Sequence, residues 1–239
     1  MKTLLSVFFL LFMLPAMAQD VITPKNIKLE SAFIKDETYD MLWFMENAGQ
    51  RIEIGKINTI IKKDKGKILI RTSLKMKQMQ EEMIDSAVAK INNMEPVEHS
   101  SFAGHRDIRM NFGKDVTGYY LDKKTNEKSI INEAVAPASY FDSNLYPSII
   151  RWLPLKEDYK ATLRIFDYNP AAKKGVMNAY IKNVKKESLN GKMVWVITTT
   201  DDITDNKTLV TYYIDTDQRK LLKQEVEIDR RKMVMELIK

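Results

Sequence analysis

The chain has 239 residues, 38 basic and 32 acidic side chains, a net charge of +6 and no cysteine. Without cysteine there is neither a disulfide framework nor an N-terminal cysteine to carry a lipid. The small basic excess is interleaved with acids, so no basic stripe with aromatics marks a nucleic-acid binder, and a solvated surface of mixed charge follows.

Met1-Lys2-Thr3 gives a short basic start, Leu4 to Leu14 is an almost unbroken apolar run, and Pro15-Ala16-Met17-Ala18 closes it with small residues. That layout predicts a secretory signal peptide over 1–18, cut after Ala18. The apolar run is shorter than the roughly 20 residues that span a bilayer, and none like it recurs, so a protein that does not span the membrane is expected. Export places it in the periplasm or outside the cell. About 220 residues remain, enough to bury roughly 70% of the unfolded surface without disulfides. A lead-in over 19–38 precedes a single domain over 39–239.

Tyr39 to Met45 reads as a strand buried on both sides, because Tyr39, Met41, Trp43 and Met45 share one face while Leu42 and Phe44 make the other apolar. Arg51 to Ile61 slips phase at Gly55, which predicts a β-bulge. Asp64-Lys65-Gly66 turns the chain into Lys67 to Lys77, the clearest strand. There Ile68, Ile70, Thr72, Leu74 and Met76 alternate with Lys67, Arg71, Ser73, Lys75 and Lys77.

Short strands follow over 84–90, 97–102, 107–112, 117–121 and 129–135. A spacing of about ten residues with turn signals between predicts an antiparallel all-β sheet rather than βαβ units. The run from Phe141 to Pro154 breaks the pattern. Leu145, Ile149, Trp152 and Leu153 fall at helical spacing behind Asp142, Ser143 and an early Pro147, so a short apolar helix must bury a face against the sheet. Strands resume over 161–168, 175–184, 193–200, 208–214, 221–228 and 232–238. The stretch 88–99 shares a strand-turn-strand rhythm with 213–224, which suggests one wide meander.

Tyr212-Tyr213-Ile214-Asp215, the turn, and Arg219-Lys220-Leu221-Leu222-Lys223-Gln224-Glu225 resemble the late strands of LolA/LolB-type proteins. The segment Tyr140 to Tyr146, through Leu153-Pro154-Leu155 and Phe166-Asp167-Tyr168-Asn169-Pro170, is similar to an uncharacterised family of exported bacterial domains of that type. The likeness runs from about Tyr39 to the C-terminus. It implies a mainly β fold, a strongly curved antiparallel sheet forming an incomplete barrel, with one short helix on its concave face. Better-known relatives carry lipoproteins or other lipids in that apolar concavity.

Catalytic signatures are missing. His99 and His105 stand six apart without cysteine or a zinc-type spacing, and both read as surface histidines near a turn. Gly-x-Ser-x-Gly, Gly-x-Gly-x-x-Gly and a Walker loop are absent. Asp201 to Asn206 lacks the glycine and closing glutamate of an EF-hand and reads as a hairpin loop.

The expectation is an exported, non-enzymatic binding domain without cofactor or metal, taking a lipid, an acyl chain or another hydrophobic ligand of the cell envelope. The resemblance makes Trp43, Phe141, Leu145, Ile149, Trp152, Leu153 and Phe166 the lining of the apolar concavity. The same residues also read as ordinary core. The alternative is therefore a structural or interaction module that meets an envelope protein and fills its concavity with its own side chains. The space between the sheet and the Ser143 to Leu153 segment distinguishes the two.

Overall fold

The computed structural model describes residues 21–47, 49–170 and 172–238. The expected leader and its cleavage point lie outside the described residues. The lead-in contains β1 (Val21–Ile22) and a 3-10 turn over Ser31–Phe33. There follow β2 (Glu37–Asn47), β3 (Gln50–Asp64), β4 (Lys67–Met76), β5 (Met83–Lys90), β6 (Pro96–Ala103), β7 (Arg106–Phe112), β8 (Asp115–Asp122) and β9 (Glu127–Ala134). After β10 (Phe141–Asp142) and the helix α1 (Tyr146–Trp152) come β11 (Ala161–Tyr168), β12 (Lys174–Leu189), β13 (Lys192–Asp201), β14 (Thr208–Asp215), β15 (Leu221–Ile228) and β16 (Arg231–Leu237).

All sixteen strands belong to one sheet. The ladder runs from β11 through β12 to β16, then to β2 and on through β9, antiparallel throughout. β12 takes one edge of β11, and β1 and β10 share the other, both parallel to it. The ends of the ladder meet through side chains. Ile108, Met110, Val116 and Ile131 of β7 to β9 pack on Tyr140, Phe166 and Tyr168, and Lys174 pairs with Glu133 at 3.0 Å. The sheet is thus an incomplete barrel with α1 on its concave side, as expected.

Local chemistry explains the elements. Ile68 and Ile70 of β4 are buried while Lys67 and Arg71 on the other face are exposed. The turn into β4 has Lys65 at φ 44° and Gly66 at φ 78°. The ladder shifts register between Trp43 and Phe44, next to Gly55. A Cβ on Gly55 would sit 2.6 Å from the Lys75 carbonyl oxygen, so the bulge needs a residue without a side chain. In β2 the expectation fails in part. Met41 is buried, but Leu42, Trp43 and Phe44 keep partial exposure and Met45 is exposed. The outer face of β2 is wet, with Arg51 stacked over Phe44 at 3.8 Å, because among the described residues no second layer packs on it.

The repeated rhythm is real geometry. In one copy Lys90 N–H donates to Glu95 O and Met94 N–H to Lys90 O, with Met94 at φ 56°. In the other Asp215 N–H donates to Lys220 O and Arg219 N–H to Asp215 O, with Arg219 at φ 57°. In each turn the residue in the left-handed region is buried. Both turns stand at the same end of the barrel, where they help to plug it.

The lead-in closes that end. Ile22 and Ile34 join the main core, Glu30 N–H donates to the Trp152 carbonyl at 2.8 Å, and Lys63 Nζ donates to Ile34 O at 3.1 Å. Residues 21–36 therefore pack into the barrel domain. Among the described residues no helix is long and apolar enough to cross a membrane.

Candidate binding cleft

α1 is short and buried almost all round, with only Pro147 partly exposed among its seven residues. Its start is not built as the sequence suggests. Asp142 and Ser143 do not cap it, the N-cap is Leu145 without a side-chain cap, and Pro147 is pre-set for the first turn. Asp142 and Ser143 are instead drawn into a polar cluster at the seam where the barrel ends meet.

That cluster overturns the reading of His99 as a surface residue. His99 is 7% exposed on the inner face of β6, and its Nδ1 donates to both oxygens of the fully buried Asp142, at 3.0 and 2.9 Å. The other ring nitrogen has no hydrogen-bond partner among the described residues, and the ring lines a cleft. His105 stays exposed in the β6–β7 turn, as expected. Asn144 N–H donates to Asp142 Oδ1 at 3.1 Å and Ser143 Oγ to Asp167 at 2.6 Å.

Burial alone would push the His99 imidazole down. The Asp142 carboxylate against it, helped by Asp85 and Asp167, outweighs that and holds its pKa above the ordinary histidine value. Asp167 is pushed up, first by burial and then by neighbouring Asp142 and Asp201, against the Ser143 hydrogen bond and the charge of His99.

Two lobes of open space flank the cluster. The polar lobe, about 280 Å³, is floored by β5 to β8 and walled by Asn144, Asp167 and Asn169. The register explains its floor. Asp85 stands opposite Ser101, Ser101 opposite Ile108 and Ile108 opposite Tyr120, so one row of side chains points inward. The second lobe, about 260 Å³, lies between α1 and the sheet. Its lining mixes apolar Met41, Ile57, Ile70, Leu221 and Met235 with polar Thr59, Thr72, Ser148, Arg151 and Gln224. Asp85 and Asn144 border both lobes.

Arg151 reaches this second lobe from α1 while only 2% exposed. Its Nη2 donates to Glu37 and its Nε to the Arg219 carbonyl, both at 2.7 Å, and its Nη1 has no partner among the described residues. A buried guanidinium held by one carboxylate and one carbonyl is a fixed donor for an oxygen-bearing ligand.

The seven residues expected to line an apolar concavity are interior ones. Phe141, Leu145, Ile149, Trp152 and Leu153 sit in the main core with Trp43 packed against it, and Phe166 sits in the smaller core at the seam, 5.4 Å from Tyr140 between ring centres. None of the seven lines either lobe. The residues that do, His99, Asp85, Arg106 and Arg151, escaped sequence reasoning. One signal existed in Pro96 to Ala103, where His99, Ser101 and Ala103 share a parity and Phe102 takes the other. Among the described residues no group of three acids or histidines is placed to hold a metal ion.

Comparison with curated proteins finds no match. Among solved structures, the crystal structure of a DUF1329 family protein from Desulfovibrio piger is similar over 87% of this chain and 85% of that one. The two share 10% identity with a TM-score of 0.28, a likeness too loose to transfer any site. Residues 38–236, almost the whole of the barrel just described, match the family described as "Protein of unknown function (DUF3108)", and the chain belongs to that family.

Proposed function

We propose that this is an exported, non-enzymatic binding domain of LolA/LolB-like type that takes a small amphipathic ligand of the cell envelope. The observation that carries the reading is the lobe beneath α1, where Met41, Ile57, Ile70 and Met235 are interleaved with Arg151, Thr59 and Gln224. Volumes of about 260 and 280 Å³ sit just below the range of sites for drug-sized molecules, so a ligand with one compact apolar part fits and a diacyl lipid does not.

Native mass spectrometry of the exported protein, with displacement of a fluorescent hydrophobic probe, tests the reading. A bound small amphiphile is expected, and Thr72→Trp, which fills the lobe from β4, should abolish probe binding while leaving the melting temperature within a few degrees. A probe that binds the variant as well as the wild type sinks the proposal. A second reading, a self-filled interaction module, draws on the complete burial of Trp152 and Phe166. It gains if no small molecule is retained and an envelope protein co-purifies.

A further inference from the structure

The polar lobe holds two opposite charges that do not meet. Asp85 makes neither hydrogen bond nor ion pair among the described residues, and Arg106 makes only the bond to Ser101 Oγ. Their placement is fixed by the ladder. Asp85 lies directly opposite Ser101 on β6, and Arg106 reaches that same Ser101 from the start of β7. The carboxylate and the guanidinium are therefore neighbours across one serine, yet neither neutralises the other. His99 adds a third group. It is more than nine-tenths buried, its Nδ1 is locked on Asp142, and its remaining ring nitrogen is unpartnered in a ring that lines the lobe.

A carboxylate and a guanidinium that make no ion pair lose hydration when a ligand enters, and a ligand that brings the complementary charges replaces it at both. Their order along the cleft constrains the ligand further. Asp85 borders the lobe beneath α1 as well as the polar lobe, whereas Arg106 and His99 border the polar lobe alone. A cationic group thus sits on the side of the lobe that holds Met41, Ile57 and Ile70, and an anionic group lies beyond it. A phosphoethanolamine lipid has the reverse order, its phosphate lying between chain and ammonium. An α-amino acid with an apolar side chain carries its ammonium, carboxylate and apolar group on one carbon and can meet the observed order.

We infer that the cleft binds a free apolar α-amino acid. Its ammonium rests on Asp85, its carboxylate on Arg106 and, in the imidazolium form, on the second N–H of His99, and its side chain lies against Met41, Ile57 and Ile70. The inference rests on the binding function proposed above and names its ligand class. Asp167 also faces this lobe. Its Oδ1 accepts from Ser143 Oγ, whereas Asp85 has no partner on either oxygen among the described residues.

Calorimetry with three probes tests it on the wild-type protein. They are L-phenylalanine, phenethylamine, which lacks the carboxylate, and 3-phenylpropionate, which lacks the ammonium. L-phenylalanine is expected to bind about tenfold or more tightly than either half. Asp85→Asn should remove its advantage over phenylpropionate, and Arg106→Gln its advantage over phenethylamine. Equal binding of the three probes, or tighter binding of lysophosphatidylethanolamine than of phenylalanine, overturns the assignment. If none of the three binds while the hydrophobic probe still enters beneath α1, the amino-acid assignment falls and the binding function stands. If the hydrophobic probe fails as well, both fall.

Discussion

His99 Nδ1 lies 2.9 Å from Asp142 Oδ2, and this contact joins β6 to β10, two strands that share no ladder. Asp142 has no exposure at all, so its charge depends on His99 and on the Asn144 amide. Removing one partner of such a pair costs about 3–5 kcal/mol, because the other is left charged and buried.

The pair makes the seam dependent on pH. The folded pKa of His99 is raised above the unfolded value near 6.5. Its stabilisation is complete below that unfolded value and is lost as pH climbs through the raised folded value. Asp167, also raised, adds a term of the same sign in a more acid window, complete below about 3.9 and lost above its own folded value. Denaturant unfolding should show the wild type losing stability from pH 6 towards pH 9. Asp142→Asn should cost most at pH 6 and progressively less above it. A penalty that is equal at both ends of the range would contradict the assignment.

Arg219 governs the lead-in. Its guanidinium lies 5.0 Å from the Phe33 ring and 5.6 Å from the Trp195 ring, it pairs with Glu30, and its carbonyl accepts from Arg151. Arg219→Met is expected to cost about 1–3 kcal/mol. It should expose the chain around Glu30 to limited proteolysis before the barrel is cut. Unchanged cleavage there would show that Ile22 and Ile34 hold the segment unaided.

The buried helix face carries much of the stability. Trp152 is 1% exposed in the main core, and Trp152→Ala should cost about 3–5 kcal/mol. Ile130, 73% exposed on β9, provides the control, since its replacement by alanine should stay within about 0.5 kcal/mol. Thermal melts of the two variants separate core from surface. Similar shifts would mean that α1 does not anchor the fold.

Gly118 is required by a close approach of backbones. A Cβ there would fall 1.9 Å from the Arg109 carbonyl oxygen on the adjoining strand. Neither backbone can yield without breaking the β7–β8 ladder, so Gly118→Ala should cost about 1–3 kcal/mol. Hydrogen exchange should locate the loss in β7 to β9, and an unperturbed ladder there would refute the steric account.

What the residues announce through local rules appears in the barrel. Period-2 alternation located β4, the phase slip at Gly55 located a bulge, and the spacing of Leu145, Ile149 and Trp152 located α1. Each signal lies within a dozen residues, where pleat or helix geometry fixes side-chain direction. The cleft had no such signal. His99 and Asp142 are 43 positions apart, and Asp85, Ser101 and Arg106 converge through the β5–β6 pairing and the β6–β7 turn. The apolar residues around α1 misled for the same reason. Their chemistry suits a core and a ligand-binding wall equally, and only packing distinguishes them.

By itself the sequence determined an antiparallel sheet with a short apolar helix, because hydrophobic periodicity and turn chemistry act locally, while the curvature was only implied by the family resemblance. Tertiary structure alone decided that Trp152 and Phe166 fill the interior, that His99 is buried on Asp142, and that an unpaired Asp85 and Arg106 share one cleft. Those outcomes depend on how tightly the sheet curls and which strands face each other across the seam, and that curvature is a property of the whole ladder.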